Sequence, residues 1–375
     1  MKIIRVLIVP WLLLSACRGA SAPAPQQQEI KPDTVTISFI GDVMQHGGQI
    51  RAALRADGSY DYTNTFRFME EEFKAADYMV ANMEFTVGCK PYSGYPYFSA
   101  PYEIATEAKK SGIDLFLLAN NHICDRGATG LKKTIDAYDT LKIQRLGAYR
   151  TKEEADTSSV LMVELKGIRF AFFNFTYGTN GIPVPSPYYV NLQDSTEIKE
   201  HIAVAKEKGA DFIIALPHWG EEYHTEPSWL QKEYAQFMFN EGVDAIIGGH
   251  PHVPEEGYIY TKGDSVKRVV FYSLGNYVSN QYFSGYTSTG ILVSLHFERD
   301  AMGRLRMLMP DWKYLWCFRK GQLLEDYTVV PMEEFMDGEE FKEGGKTAKQ
   351  KESFKTLKEF YPKLIKKDLI KIISD

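Results

Sequence analysis

Two histidines one residue apart, His250 and His252, follow the apolar run Val243–Ile247 and the pair Gly248-Gly249. A short apolar run cut off by glycine reads as a buried strand that stops abruptly. Neutral imidazole is the commonest metal ligand, and histidines at i and i+2 past a strand end can converge on adjacent ions. Loop histidines are as readily solvent-exposed, so the pair alone decides nothing. Similar groups recur at the same kind of position. Thr34–Ile40 runs into Gly41-Asp42-Val43-Met44-Gln45-His46, and Asp77–Ala81 into Asn82-Met83-Glu84. Ile113–Ala119 runs into Asn120-Asn121-His122, and Phe212–Leu216 into Pro217-His218-Trp219-Gly220. The resulting inventory is Asp42, His46, Asn82, Glu84, Asn121, His122, His218, His250 and His252. Hard oxygen donors mixed with imidazoles suit Mn, Fe, Zn, Mg or another divalent ion, and no cysteine pair marks a structural zinc site. A bridging carboxylate with three or four imidazoles is enough for two ions about 3.5–4 Å apart. That spacing suits hydrolysis, because such ions acidify a shared water and stabilise charge on an attacked phosphoryl or carbonyl oxygen.

Helical patterns separate these runs: Phe66–Ala76, Glu103–Ser111, Thr129–Leu141, Ser195–Lys208 and Pro227–Glu241. Strands alternating with helices predict parallel βαβ units whose ligands gather at the carboxyl ends of the strands. Val160–Thr176 interrupts the alternation as a hairpin turning at Lys166-Gly167. Lys267–Tyr272 and Thr289–Phe297 are later strands. The expected fold is a layered α/β domain with an antiparallel component.

Lys2 and Arg5 precede an apolar stretch, Val6–Leu14, which ends in Leu14-Ser15-Ala16-Cys17. A basic start, a short apolar segment and small residues describe a secretory signal too short to span a membrane. Cys17 after Ser-Ala resembles a bacterial lipobox, in which the thiol is acylated and the mature chain becomes a lipid-anchored extracytoplasmic domain; the alternative is a plain signal with an incidental cysteine. Arg18–Lys31 reads as a flexible tether. The expected organisation is a signal over 1–17, a tether over 18–32, an α/β domain over 33–298 and a C-terminal extension over 299–375. A net charge of −6 leaves no basic footprint for nucleic acid. Cys89, Cys124 and Cys317 could form at most one disulfide, so this is no disulfide scaffold.

Several segments together carry a family resemblance. They are Gly41-Asp42-Val43-Met44, Asn82-Met83-Glu84, Ala119-Asn120-Asn121-His122 with Asp125, Gly127 and Gly130, His218-Trp219-Gly220 with Glu222, Gly249-His250-Pro251-His252-Val253, and Ser273-Leu274-Gly275-Asn276-Tyr277. In this order, over Thr34–Ser279, the chain resembles the CapA (PgsA) family of capsule synthesis, linked to poly-γ-glutamate. That family looks like a branch of the calcineurin-like metallophosphoesterases. The resemblance implies a β-sandwich flanked by helices and two divalent metal ions. It implies Asp42 and His252 as ligands of one ion, Asn121, His218 and His250 as ligands of the other, and Glu84 as the bridge. It implies His122 as the acid for the leaving group. Two departures stand out: the superfamily's Asp-x-His is absent, the nearest histidine being His46, and Glu84 stands where an aspartate is usual. His46 is then either a ligand or a loop or substrate contact.

Other residues carry two readings each. Glu222 could orient a metal-bound histidine or be a surface glutamate, and Asn82 could ligate or support. Asp125 and Arg126 could face substrate or begin the next helix. Cys124 reads as a small buried hydrophobe, and Trp219 as packing under the site. Tyr92, Tyr95, Tyr97, Phe98 and Tyr102 form an aromatic lip, for stacking or for cover. Thr347–Ile373 is a lysine-rich amphipathic helix that packs on the core or lies against an anionic surface. The expected function is hydrolysis of a phosphoester, or of the amide backbone of a cell-surface polymer, alongside capsule-synthesis partners. The competing reading is a polymer-handling scaffold with a structural or vestigial metal site.

Overall fold

The computed structural model describes residues 34–263, 265–323 and 326–374. The signal and tether expected over 1–32, with Cys17, lie outside the described residues. Period-two burial along the strands decides the architecture. In the strand Thr34–Val43, Val35, Ile37 and Phe39 belong to one apolar core, and Ile40 and Val43 to a second. Val80, Leu115 and Leu117 share the first core, while Met79, Ala81, Phe116 and Leu118 share the second. Farther along the chain, Phe170, Phe172, Ile214, Leu216 and Ile247 also enter the first core, and Ala171, Phe173, Ile213, Ala215 and Ile246 form a third. Successive side chains face opposite sides of a sheet. The first core therefore lies between two halves of a sheet packed face to face. Ring pairs such as Tyr78–Phe172, 5.6 Å apart, cross that middle.

Helices close the outer faces. Ile104, Ala105 and Ala108 of Glu103–Lys110, with Leu131 and Tyr138 of Gly127–Thr140, cover one half. Ile198 and Ile202 of Ser195–Glu207, with Ala235, Met238 and Phe239 of Trp229–Asn240, cover the other. This is the layered α/β sandwich flanked by helices that the sequence predicts.

In the first half Gln144–Leu146, Leu115–Leu117, Tyr78–Met83 and Thr34–Val43 are parallel neighbours. In the second, Ile168–Thr176, Phe212–His218, Ala245–Ile247 and Ser265–Phe271 are parallel neighbours. Thr289–Arg299 joins them, antiparallel to Thr34–Val43 from Thr34↔Glu298 to Phe39↔Val293 and continued by Leu305–Met307, which pairs with Ser265–Phe271.

Two local expectations differ from the structure. The helix expected over Phe66–Ala76 is two short ones, Thr63–Phe66 and Glu70–Ala75. Between them Met69 N donates back to Phe66 O, a tighter turn that buries Phe66, Met69 and Phe73 together. The helix expected over Thr347–Ile373 stops at Lys367, where Asp368 turns left-handed with φ 49°. Ile370–Ser374 is then a strand, parallel to Gly257–Lys262. The helix packs on the central core through Phe354, Leu357 and Leu364, and residues beyond 298 are woven into the same sheet by Asp311–Phe318 and Thr328–Pro331. Cys89, Cys124 and Cys317 are all free and buried, in keeping with the absence of a disulfide scaffold.

Candidate metal centre

A one-residue bulge sets the first donor. Ile40 pairs with Ala81 and Asp42 with Asn82, so Gly41 is the extra residue between them. The Asp42 amide donates to Gly275 O at 2.9 Å. A Cβ on Gly41 would lie 1.9 Å from that same oxygen, so only glycine fits the bulge. From the other half of the sandwich, His218 ends its strand and bridges to Gly249. Beneath it Trp219 is buried, donating Nε1 to Tyr272 O at 2.9 Å. His250 and His252 follow with φ of 101° and 59°. Left-handed backbone at a non-glycine residue costs on the order of 1–3 kcal/mol and persists only where the surroundings enforce it. Here His250 N donates to Asp42 Oδ2 at 3.1 Å, and Asn276 Nδ2 donates to His252 O at 3.1 Å.

The result is two sets of donors sharing one carboxylate. Asp42, Glu84 and His252 form one and Glu84, His218 and His250 the other, with the ligand atoms of each within 4.8 Å of one another. None of these residues is more than 3% exposed. Glu84 Oε1 lies 3.5 Å from His218 Nε2 and 3.8 Å from His252 Nε2. Asn121 Oδ1 lies 2.8 Å from His218 Nε2, and its amide nitrogen donates to Asn180 Oδ1 at 3.2 Å. Asp42, Glu84, Asn121, His218, His250 and His252, spread over most of the domain, are thus brought together.

Glu84 Oε1, His250 Nδ1 and His252 Nδ1 are buried without a hydrogen-bond partner. Buried polar atoms are nearly always satisfied, and a lone carboxylate out of water is costly. Divalent cations are the partners this donor set fits. Burial alone would raise the Asp42 carboxyl, but its contact with His252, the charges of His218 and His252 and the Asn82 amide hold it below its usual value. Burial would likewise lower His252, yet the Glu84 and Asp42 carboxylates push it up to about 9. His252 Nδ1 lies 3.3 Å from Asp42 Oδ2, close enough for charge attraction but off the line of a hydrogen bond. His250 is held well below its usual value by burial and then by the neighbouring His218, His252 and His122. A neutral His250 is ready to ligate, whereas metal binding has to displace a proton from His252.

His122 stands beside this set. Its Nδ1 lies 2.8 Å from Asp125 Oδ2, an oxygen that also accepts the Phe98 amide at 2.7 Å. The Phe98 ring meets His122 edge-on at 4.6 Å. Asp125 is not the cap of the next helix, which begins after Arg126.

The remaining candidates fall around the donors. Asn82 is a hub: its Nδ2 donates to Asp42 Oδ1 at 2.8 Å and lies 3.4 Å from Glu84 Oε2 and 3.3 Å from His218 Nδ1. His46 belongs to neither donor set; its Nδ1 accepts from Asn280 N at 3.3 Å and lies 3.2 Å from Gln49 Oε1. Glu222 is exposed at the rim. Cys124 is fully buried, its thiol pushed up to about 12 by burial.

Some supporting residues escape sequence reasoning. Asn120 Nδ2 donates to Asn82 Oδ1 and Met83 O, and its Oδ1 accepts the His122 amide. Tyr177 lays its ring 4.5 Å from that of His250. The His122-x-x-Asp125 spacing was the one available signal; nothing local marks Tyr177 or Asn180. The aromatic lip divides. Phe98 is buried against His46 and His122, whereas Tyr95 and Tyr97 are exposed and join Tyr177, Tyr223 and Phe283 as open aromatic surface.

Comparison with known proteins supplies the wider setting. Residues 36–281 match the family described as "Bacterial capsule synthesis protein PGA_cap". The capsule biosynthesis protein CapA of Bacillus anthracis is 32% identical over 293 residues, 74% of this chain and 67% of that protein. The PGA biosynthesis protein CapA of Bacillus subtilis is 28% identical over 328 residues, 82% of this chain and 80% of that protein. Similar solved structures include the calcineurin-like phosphoesterase YfkN from Bacillus subtilis, at 15% identity and TM-score 0.46, covering 76% of this chain and 91% of that one. A 5'-nucleotidase from Candida albicans matches at 14% identity and TM-score 0.44, covering 88% of this chain and 58% of that one.

Proposed function

This chain belongs to the bacterial capsule synthesis family PGA_cap, and from that premise we propose that it acts in capsule-type polymer synthesis as a dinuclear metal-dependent hydrolase. The substrate class is a phosphoester, or the amide backbone of an extracellular polymer such as poly-γ-glutamate. The proposed place of work is the cell envelope outside the cytoplasm, on a lipid anchor at Cys17 and beside other capsule-synthesis proteins.

The observation that carries this reading is Glu84. Its carboxylate is fully buried, Oε1 has no hydrogen-bond partner, and it belongs to both donor sets. A structural site for one ion has no use for a shared carboxylate. Asp42, Glu84 and His252 would hold one ion, and Glu84, Asn121, His218 and His250 the other. Divalent ions so bound supply Lewis acidity, lowering the pKa of a water and offsetting charge on the attacked oxygen. His122 is oriented through Nδ1 by Asp125, which leaves Nε2 to hand a proton to the departing oxygen or nitrogen. Asn82 and Asn120 keep the carboxylates in register. Tyr177, Tyr223 and Phe283 offer flat surface against which a polymer repeat can lie.

Metal analysis of the purified protein, then a screen of phosphoesters and γ-glutamyl peptides with chelation and Mn²⁺ re-addition, tests this reading. Turnover that is lost on chelation and restored by Mn²⁺ is expected. In cells, the double variant His250→Ala/His252→Ala should fail to support polymer display. Full complementation by it would sink the enzymatic reading and leave a polymer-handling scaffold.

A further inference from the structure

A cavity of about 510 Å³ opens between loop 280–285, the end of the Asp311–Phe318 strand and the helix Ala348–Lys367. Its character is basic. Arg319, Lys320 and Lys349 line it, and among the described lining residues there is no aspartate or glutamate.

Arg319 is the unusual member. Only 7% of it is exposed, yet it forms no ion pair with any described residue. Its Nη2 donates to Ser288 Oγ at 2.7 Å and to the Gln281 carbonyl, while its Nε has no partner. Two further lining residues repeat the pattern. Trp316 Nε1 and Ser353 Oγ are buried and unpartnered, on side chains 3% and 5% exposed. Buried guanidinium groups are ordinarily paired with an anion, and buried N–H groups ordinarily find an acceptor. Arg319 thus brings to the cavity wall a positive charge that no described carboxylate balances, and its Nη1 makes no hydrogen bond with a described residue. Lysines 320 and 349 are exposed at its rim. The volume is within the range of small-molecule sites and far above that of one water.

We propose that this cavity is a binding site for an oxyanion-bearing small molecule or polymer end, carboxylate or phosphate, seated on Arg319. Lys320 and Lys349 attract it from solvent. Guanidinium suits both groups, because its planar fork matches either geometry. The site is distinct from the metal centre but shares a loop with it. Gln281, whose carbonyl accepts from Arg319, also accepts from Asn276 Nδ2, the group that holds the His252 carbonyl.

Calorimetric titration of the whole protein, in a buffer free of oxyanions, with glutarate and with inorganic phosphate as separate probes, tests the site. One-site saturable binding of at least one probe is expected. Saturation by glutarate alone assigns a carboxylate ligand, and by phosphate alone a phosphate ligand. Arg319→Gln should weaken binding by about tenfold or more, the loss of a charge-assisted contact. Should that variant fail to fold, the double variant Lys320→Ala/Lys349→Ala decides, with an expected loss of about fivefold. Neither variant touches a metal-centre residue, so the loss locates the binding. No saturable binding of either probe, or unchanged affinity in every folded variant, overturns the proposal.

Discussion

His122 Nδ1 and Asp125 Oδ2 lie 2.8 Å apart, and the same oxygen takes the Phe98 amide, so ring, carboxylate and aromatic lip are fixed as one unit. His122→Ala should keep its metal and lose roughly 10²–10⁴-fold in turnover, the usual contribution of a positioned general acid. Asp125→Ala should show a smaller loss in turnover with metal content unchanged. Asn121→Ala should lose metal. Metal analysis beside kinetics separates these outcomes, and equal metal loss in the His122 and Asn121 variants would make His122 a ligand.

Glu84→Ala should abolish binding of both ions, because the carboxylate belongs to both donor sets. Ligands that bind only the folded state stabilise it by about 2.7 kcal/mol at a hundredfold excess over Kd. Chelation should therefore lower the unfolding midpoint of the natural protein and leave that of Glu84→Ala where it is. A variant that still binds one ion tightly would show the sets to be independent.

Gly249→Ala tests the close approach of the two sandwich halves. The added Cβ would lie 2.7 Å from Asp42 Oδ1 and displace that carboxylate. Metal affinity should fall by about tenfold or more, in the range seen when groups supporting a ligand are disturbed, with the fold intact by circular dichroism. Unaltered metal affinity would mean that Asp42 has room to move.

Glu255 gives a pH prediction away from the donors. It is 1% exposed and accepts from Gln231 Nε2 at 2.7 Å, while its Oε1 has no partner. Burial pushes its carboxyl up to about 8, the Gln231 bond offsetting only part. The folded state therefore favours the protonated form. The stability this contributes is full below the ordinary value of 4.5 and is lost as pH rises towards about 8. Urea midpoints should fall over that window, and Glu255→Gln should flatten the fall. Parallel curves for the two proteins would refute the assignment.

Cys17→Ser should move the protein from the membrane fraction to the soluble one, because stable anchoring needs acyl chains on that thiol. Retention in the membrane fraction would reject the lipobox reading.

The donors were legible because each follows an apolar run that has to be a strand, and a donor after a parallel strand is carried to the same edge as its neighbours. Helix and strand types were legible for the same reason of period, as Gly127–Thr140 and Phe212–His218 illustrate. What stayed hidden is set by distant partners. Nothing near Asn120 or Tyr177 says that one props Asn82 and the other faces His250. Ile370–Ser374 continues a helical pattern in sequence, and only the open edge at Gly257–Lys262 makes it a strand. The break at 67–69 follows from a core that three large side chains must share.

The antiparallel pairing of Thr34 with Glu298 has a consequence for timing. The strand that carries Asp42 gains this neighbour only after more than 250 further residues have been made, and His250 and His252 come in the last two fifths of the chain. Contacts so distant in sequence close slowly. A growing chain thus has Asp42, Glu84 and Asn121 well before His218, His250 and His252, and the donor set is complete only once residue 252 has been made. Since selectivity among divalent metals depends on their availability as well as on affinity, the ions of the proposed centre would be drawn from the compartment where folding finishes.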